Sequence, residues 1–450
     1  MFEYLKKLIA DPPQAEPQPS AKMPGTAPEK SPPAKGAEEG GGIFLRSDAV
    51  FDRQGRLAGH LFHTRGPSPA TSPATARQAD SALLSALNAS PEAWNTGLAF
   101  VRMSSSSLDL PALDELRSNN LVLLLELAPI VRSAPNPALE ARIEALRQRG
   151  IAIALFRQPK HPSFGELIRL ADYGAVDVAA TEPSLVRDFS TAFRASRRDQ
   201  PATLFAAQIE TLDEYRLCHM WHFDYFHGSF AAQTPERVSE AATDPHKMQL
   251  LQVLRLVQSD AETAEIAAAL RQDPPLAFRI LRYLNSPLIG LDHRVESLSQ
   301  ALTILGRQRL MRWLSVLLFS VHEPLVGDWL LIESALTRGR LMELLGNRVL
   351  PGQPADALFL TGIFSCLEQL LRRPLAELLD EIPLSEDVRA ALLRGEGRYA
   401  PLLTLVEAAE AFDHGRIAYC ADALGLPADA VNRALLAATA WASEVSEHWE

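Results

Sequence analysis

The chain has 450 residues, 47% of them hydrophobic, which is apolar material for two cores of ordinary size plus a stretch that builds none. Its 44 Lys and Arg stand against 55 Asp and Glu, and a formal net charge of -11 opposes a phosphate backbone, so a broad nucleic-acid or anionic-membrane surface is excluded. Three widely spaced cysteines, Cys218, Cys366 and Cys420, offer neither a zinc hook nor a disulfide framework. With no apolar run near the roughly 20 residues of a membrane helix and no secretory leader, these features predict a cytoplasmic protein with reduced thiols.

The opening MFEYLKKLIA reads as a frayed amphipathic start, and residues 11–42, dominated by Pro, Ala, Gly, Glu and Lys, read as a flexible tether, so 1–42 stands apart from the folded chain. Residues 43–235 alternate short apolar runs with helical patterns. GPSPATSPATARQAD (66–80) reads as an exposed loop, with helix from about Ala79 to Leu87. GLAFVRM, LVLLLELA, IAIALF, GAVDVAA and ATLFAAQI read as strands, separated by helices over PALDELRS, PALEARIEALRQRG, PSLVRDFSTAFRAS and TLDEYRLCHMW. Strands as apolar as LVLLLEL suit a parallel sheet covered on both faces, closed into a barrel or left open and doubly wound. From about Lys247 strand signals vanish and helix follows helix to residue 450, with Asp273-Pro274 at a helix start and Asn285-Ser286-Pro287 at a helix end.

The segment ALRQDPPLAFRILRYLNSPLIGLDHRVESLSQALTILGRQRLMRWLSV resembles the HDOD signature, carried by Asp273, Pro274, Asn285, Ser286, Leu305 and Gly306. The later LFLTGIFSCLEQLLRRPLAELLDEIPLSEDVRAALLRGEGRYAPLLTLVEAAE resembles the tail of the signalling family that joins an EAL domain to an HDOD domain. FDRQGRLAGHLFHTR resembles the opening strand pair of EAL domains, with Leu61 where the signature Glu belongs. The literal tripeptide Glu144-Ala145-Leu146 lies in an amphipathic helix and is a decoy. The resemblance implies a degenerate TIM-like EAL barrel (43–235) followed by an all-α HDOD domain (236–450).

Active EAL domains hydrolyse cyclic di-GMP with two divalent metals held by carboxylates at the C-terminal ends of barrel strands. By the resemblance, the expected Asn falls at Arg102, the paired aspartates at Ala154 and Leu155, and the Lys at Ala175. A further carboxylate falls at Ala207, a cation at Gln208, and the Gln of a QG pair at His227 before Gly228. Glu126, Asp177 and Glu210 survive, read as hydrogen-bonded strand-end residues; three carboxylates do not meet the oxygen demand of two Mg2+ or Mn2+ ions. The helical half has no His-Asp pair, and Thr361 and Ser365 stand where a catalytic relative would place one. No catalytic residue, metal or cofactor is assigned, and the expectation is a protein that is not an enzyme.

Three other features invite a bland reading. His219, His222 and His227 in CHMWHFDYFHG read as a packed or solvent-facing aromatic cluster in place of a zinc site. Ser104 to Ser107 read as a strand end and helix cap, and Arg307, Arg309 and Arg312 as a solvated helix face beside an apolar stripe. No glycine-rich phosphate loop is present. The leading expectation is a non-catalytic scaffold for other signalling proteins, with homo-oligomers through the barrel rim. The alternative is a cyclic di-GMP sensor, or a residual cyclic di-GMP phosphodiesterase.

Overall fold

The computed structural model describes residues 43–64, 73–90, 94, 97–116, 120–129, 137–197, 202–230, 245–272, 276, 277, 280, 295, 297–319, 326–382 and 384–447. The tether, the 231–244 passage between the halves, and Asp273, Pro274, Asn285 and Ser286 lie outside the described residues. Eight strands, β1 (Arg46–Asp52), β2 (Leu57–His63), β3 (Leu98–Ser104), β4 (Leu121–Glu126), β5 (Ala152–Phe156), β6 (Tyr173–Asp177), β7 (Thr203–Ala207) and β8 (Tyr225–Phe226), close into a barrel in chain order. Closure decides between the two sheet forms that apolar strands alone allow.

β1 runs antiparallel to both β2 and β8, while the other neighbours are parallel. The cause is local. Asp52 accepts from the backbone N–H groups of Gln54 (2.8 Å) and Arg56 (2.9 Å), Gly55 supplies a φ of +73°, and so tight a turn can join only antiparallel strands. The start of β1 therefore stands at the same rim as the ends of the other strands, and Arg46 and Asp48 join the mouth where barrel enzymes keep their chemistry.

Helices α1 (Pro73–Ala89), α2 (Pro111–Glu115), α3 (Pro137–Gln148), α4 (Phe164–Leu170), α5 (Pro183–Ser196) and α6 (Leu212–Met220) follow the strands. α1 begins at Pro73, ahead of the expected Ala79, with proline at a first-turn position that needs no N–H donor. α6 opens on a capping box in which Thr211 accepts from Glu214 N–H and the Glu214 carboxylate from Thr211 N–H. β4 shows why its sequence is apolar throughout: Leu121, Leu123 and Leu125 face the helices, while Val122 and Leu124 face the barrel interior.

The second half is helical among the described residues: α7 (Pro245–Gln258), α8 (Thr263–Arg271), α9 (Leu298–Leu305), α10 (Arg307–Leu318), α11 (Val326–Val349), α12 (Ala355–Phe364), α13 (Leu367–Leu371), α14 (Leu375–Glu381), α15 (Glu386–Arg394), α16 (Ala400–Ala411), α17 (His414–Ala423) and α18 (Ala428–Glu447). None of these helices is long and apolar enough to cross a membrane. α11 and α12 touch backbone to backbone at Gly362, where a Cβ would stand 2.5 Å from the Arg338 carbonyl oxygen.

The halves share a core. One apolar cluster contains Val101 and Leu123 of the barrel together with Leu345, Val406 and Leu436 of the helices. Asn432 on α18 donates to the Ile43 carbonyl and accepts from Leu45 N–H, both at 2.9 Å, and buried His60 on β2 bonds to Glu333 on α11.

Candidate functional site at the barrel mouth

The barrel interior is filled below and polar above. Leu61, Phe100, Ala154, Ala175, Phe205 and Ala207 are buried together, so four of the positions singled out in the sequence form part of an apolar plug. Leu155 does not join them. It points outward into the cluster between barrel and helices, which corrects its assignment to the site: consecutive strand residues face opposite sides, so Ala154 and Leu155 cannot both look inward. Phe156, next inward after Ala154, is the β5 residue that reaches the mouth.

Above the plug, Arg102 on β3 reaches Glu126 on β4. Its Nε donates to Glu126 Oε1 at 2.7 Å, Nη2 donates to the same oxygen, and the guanidinium lies 5.1 Å from the centre of the Phe156 ring. The two side chains keep 16% and 27% of their surface open. Across the mouth, the Asp48 carboxylate gathers Arg46 Nε (2.5 Å), His63 Nε2 (2.7 Å) and His227 Nε2 (3.4 Å). Burial works to raise the Asp48 pKa, but the hydrogen bonds from His227 and His63, with their charge, hold it well below the ordinary 3.8. Burial lowers His227, outweighing the upward pull of Asp48, and the charges of His63 and Arg102 act in the same direction as burial.

His227 is placed by its neighbours in sequence. Gly228 has a φ of +148°, and a Cβ there would fall 2.1 Å from the Ile209 carbonyl oxygen, so the chain leaving β8 passes Ile209 only as glycine. Gln208, at φ +57°, donates its N–H toward His227 Nδ1 at 3.5 Å. The side chain of His63 in turn packs edge-on against Phe412, which follows α16; Arg46 lies over the same ring and His414 against it. Neither Asp48 nor Phe412 was singled out in the sequence, since their roles depend on hairpin register and on packing between distant segments.

The surviving carboxylates do not converge. Glu126 is committed to Arg102, Asp177 accepts from its own loop at Ala180 N–H (3.1 Å), and Glu210 is exposed. Among the described residues no group of three or more His, Cys, Asp or Glu is arranged to hold a metal ion. The two-metal centre that the resemblance implies does not fit this mouth: the inward positions of β2, β5 and β7 carry Leu61, Ala154 and Ala207, which have no donor atom.

The remaining expectations resolve locally. Thr361 bonds to the Ala357 carbonyl (2.7 Å), and Ser365 bonds to the Gly362 carbonyl and to Arg338. Ser104 caps the 3-10 turn Ser105–Ser107, with Asp80 accepting from Ser104 N–H and Ser107 Oγ. His219 bonds to the Arg53 carbonyl and stacks on Phe226 outside the barrel, apart from His227. Arg312 departs from the solvated face expected for it: it is buried and forks onto Glu343 with two bonds of 2.8 Å. It borders a cavity of about 360 Å³ with Met311, Phe359 and Tyr399, where its charge is already answered by Glu343 and Asp356.

A family model described as the HDOD domain matches residues 243–376. The chain is 29% identical over 293 residues to the uncharacterized protein YuxH of Bacillus subtilis, covering 61% of this chain and 68% of that one. It is 26% identical over 316 residues to the cyclic di-GMP phosphodiesterase CdgJ of Vibrio cholerae, covering 69% and 72%. Both alignments are longer than either half. Among solved structures, the Bacillus subtilis YkuI protein with an EAL domain, in complex with c-di-GMP and calcium, matches at a TM-score of 0.33 and 14% identity over 53% of this chain and 72% of that one. The chain joins a closed eight-stranded barrel to a helical half in which residues 243–376 match the HDOD domain.

The expectation of a protein that is not an enzyme is corrected here. A relative aligned over 69% of the chain is named a phosphodiesterase. The lost ligands bear on a pair of metals alone.

Proposed function

We propose that the barrel mouth binds cyclic di-GMP and turns it over as a low-capacity phosphodiesterase, with the helical half passing the bound state to partner proteins. The observation that carries this reading is the similarity to CdgJ across both halves. It supports the cyclic di-GMP alternative over a pure scaffold.

The chemistry of the mouth is consistent with such a ligand. A phosphodiester needs fixed N–H donors, which Arg102 supplies, and the half-buried Phe412 ring stands at the rim beside His63. Asp48, His63 and His227 form a preorganised hydrogen-bonded set beside them. The three free, buried thiols suit a reducing cytoplasm.

The test is direct. Purified full-length protein is incubated with cyclic di-GMP, in Mn2+ and separately in EDTA, and linear dinucleotide is followed by chromatography. Release in proportion to protein supports the reading; no product, together with no saturable binding of the nucleotide, overturns it.

A further inference from the structure

The mismatch between this mouth and a metal pair is itself informative, because the position opposite Glu126 is filled. We propose that Arg102 is the resident cation of the barrel mouth, standing against Glu126 where a divalent ion would otherwise stand, so that the phosphodiester of the ligand is recognised without metal. This rests on the cyclic di-GMP reading for the ligand and on the structure alone for the cation.

Three observations support it. Both Nε and Nη2 of Arg102 converge on Glu126 Oε1, so the one surviving carboxylate of β4 is already neutralised, and a second cation approaching it would meet the guanidinium charge. The plane of the guanidinium is held by the face of Phe156 at 5.1 Å, which fixes its direction as a coordination sphere fixes a metal. Nη1 takes part in neither bond to Glu126, and the side chain keeps 16% of its surface open, so a donor remains on the mouth side for an incoming phosphate oxygen.

The other polar groups fit a site of this kind. Asp48 is shielded by Arg46, His63 and His227, Asp177 is turned into its own loop, and the plug beneath contributes no competing acceptor. A phosphate arriving at the mouth meets the Nη1 amino group of Arg102, the donor that the bonds to Glu126 leave unused.

Calorimetry on the full-length protein tests this with two probes. In the first, cyclic di-GMP is titrated into wild type, Arg102→Ala and Arg102→Lys, each in EDTA and in Mn2+. The expected result is wild-type affinity unchanged by Mn2+, a loss of about tenfold or more in Arg102→Ala, and a smaller loss in Arg102→Lys, which keeps charge but not the fork. Binding that appears only with Mn2+, or is undiminished in a folded Arg102→Ala, overturns the proposal. In the second, Mn2+ alone is titrated into wild type and Glu126→Gln. No saturable binding attributable to Glu126 is expected, and heat that disappears in Glu126→Gln overturns the proposal whatever the nucleotide does. Wild type that binds no cyclic di-GMP in either buffer overturns the function proposed above, while the Mn2+ titration still decides whether the cation position is filled.

Discussion

Two arginine–glutamate pairs sit in the two halves of this molecule, and they serve different ends. In the helical half, Arg312 and Glu343 keep 7% and 0% of their side-chain surface, Arg340 adds a second cation to Glu343 at 2.6 Å, and Arg312 lies 4.2 Å from the centre of the Phe359 ring. In the barrel, Arg102 and Glu126 stand open at the mouth above an apolar plug. The buried pair holds α10 to α11, with Arg312 Nε left without an acceptor and shut off from solvent. The open pair keeps Nη1 on a side chain that solvent reaches, and that access makes it a candidate for binding.

Removing one partner from each pair has unequal consequences. Glu343→Gln leaves the buried Arg312 and the partly open Arg340 sharing a neutral partner, so it is expected to cost about 3 to 5 kcal/mol, read from the denaturant midpoint. A cost below about 1 kcal/mol would mean the helical pair is as solvent-screened as the barrel pair. Next in size is Leu61→Glu, which restores the signature carboxylate to a position inside the plug. With no cation beside it, a loss of about 3 kcal/mol is expected by thermal or chemical melting. A neutral outcome would show that the plug is looser than its burial indicates.

The pH dependence comes third. His227 has its pKa lowered from 6.5, so the unfolded chain takes up that proton first, and stability begins to fall as pH drops through about 6.5 and continues to fall toward the folded value. Asp48, lowered from 3.8, keeps its contribution until pH falls below that value and then loses it. Replacing His227→Gln should flatten the upper limb, by at most about 1.4 kcal/mol per pH unit, and weaken the acid limb of Asp48, which then rests on His63. His414, also lowered by burial, leaves a residual slope in both proteins. The smallest effect expected is that of Arg102→Ala on stability, about 1 kcal/mol or less for a pair with both side chains partly open. A loss as large as that of Glu343→Gln would erase the contrast between the two pairs.

Much of the architecture was legible in the chain. The alternation of LVLLLEL with amphipathic helices marks strands covered on both faces, and the disappearance of strand signals from about Lys247 marks the helical half. Closure of the sheet was not legible, because apolar strands suit an open sheet as well. Nor was the Asp48–His63 pair, which joins residues 15 positions apart through the register of a hairpin, or the His60–Glu333 contact, 273 positions apart. The parity of β5 was readable in principle: in IAIALF only alternate residues can face inward, and applying that rule would have put Phe156 at the mouth in place of Leu155. Arg312 misleads a sequence reader because RQRLMRW resembles a solvated basic face until Glu343 arrives from another helix.

Side-chain NMR of the histidines tests the location of the site most directly. His63 and His227 flank Asp48 at the mouth, whereas His219 packs outside the barrel. On titration of the full-length protein with cyclic di-GMP in EDTA, the imidazole resonances of His63 and His227 should move and saturate together while those of His219 stay fixed. Saturable binding that leaves both mouth histidines unmoved would contradict the account.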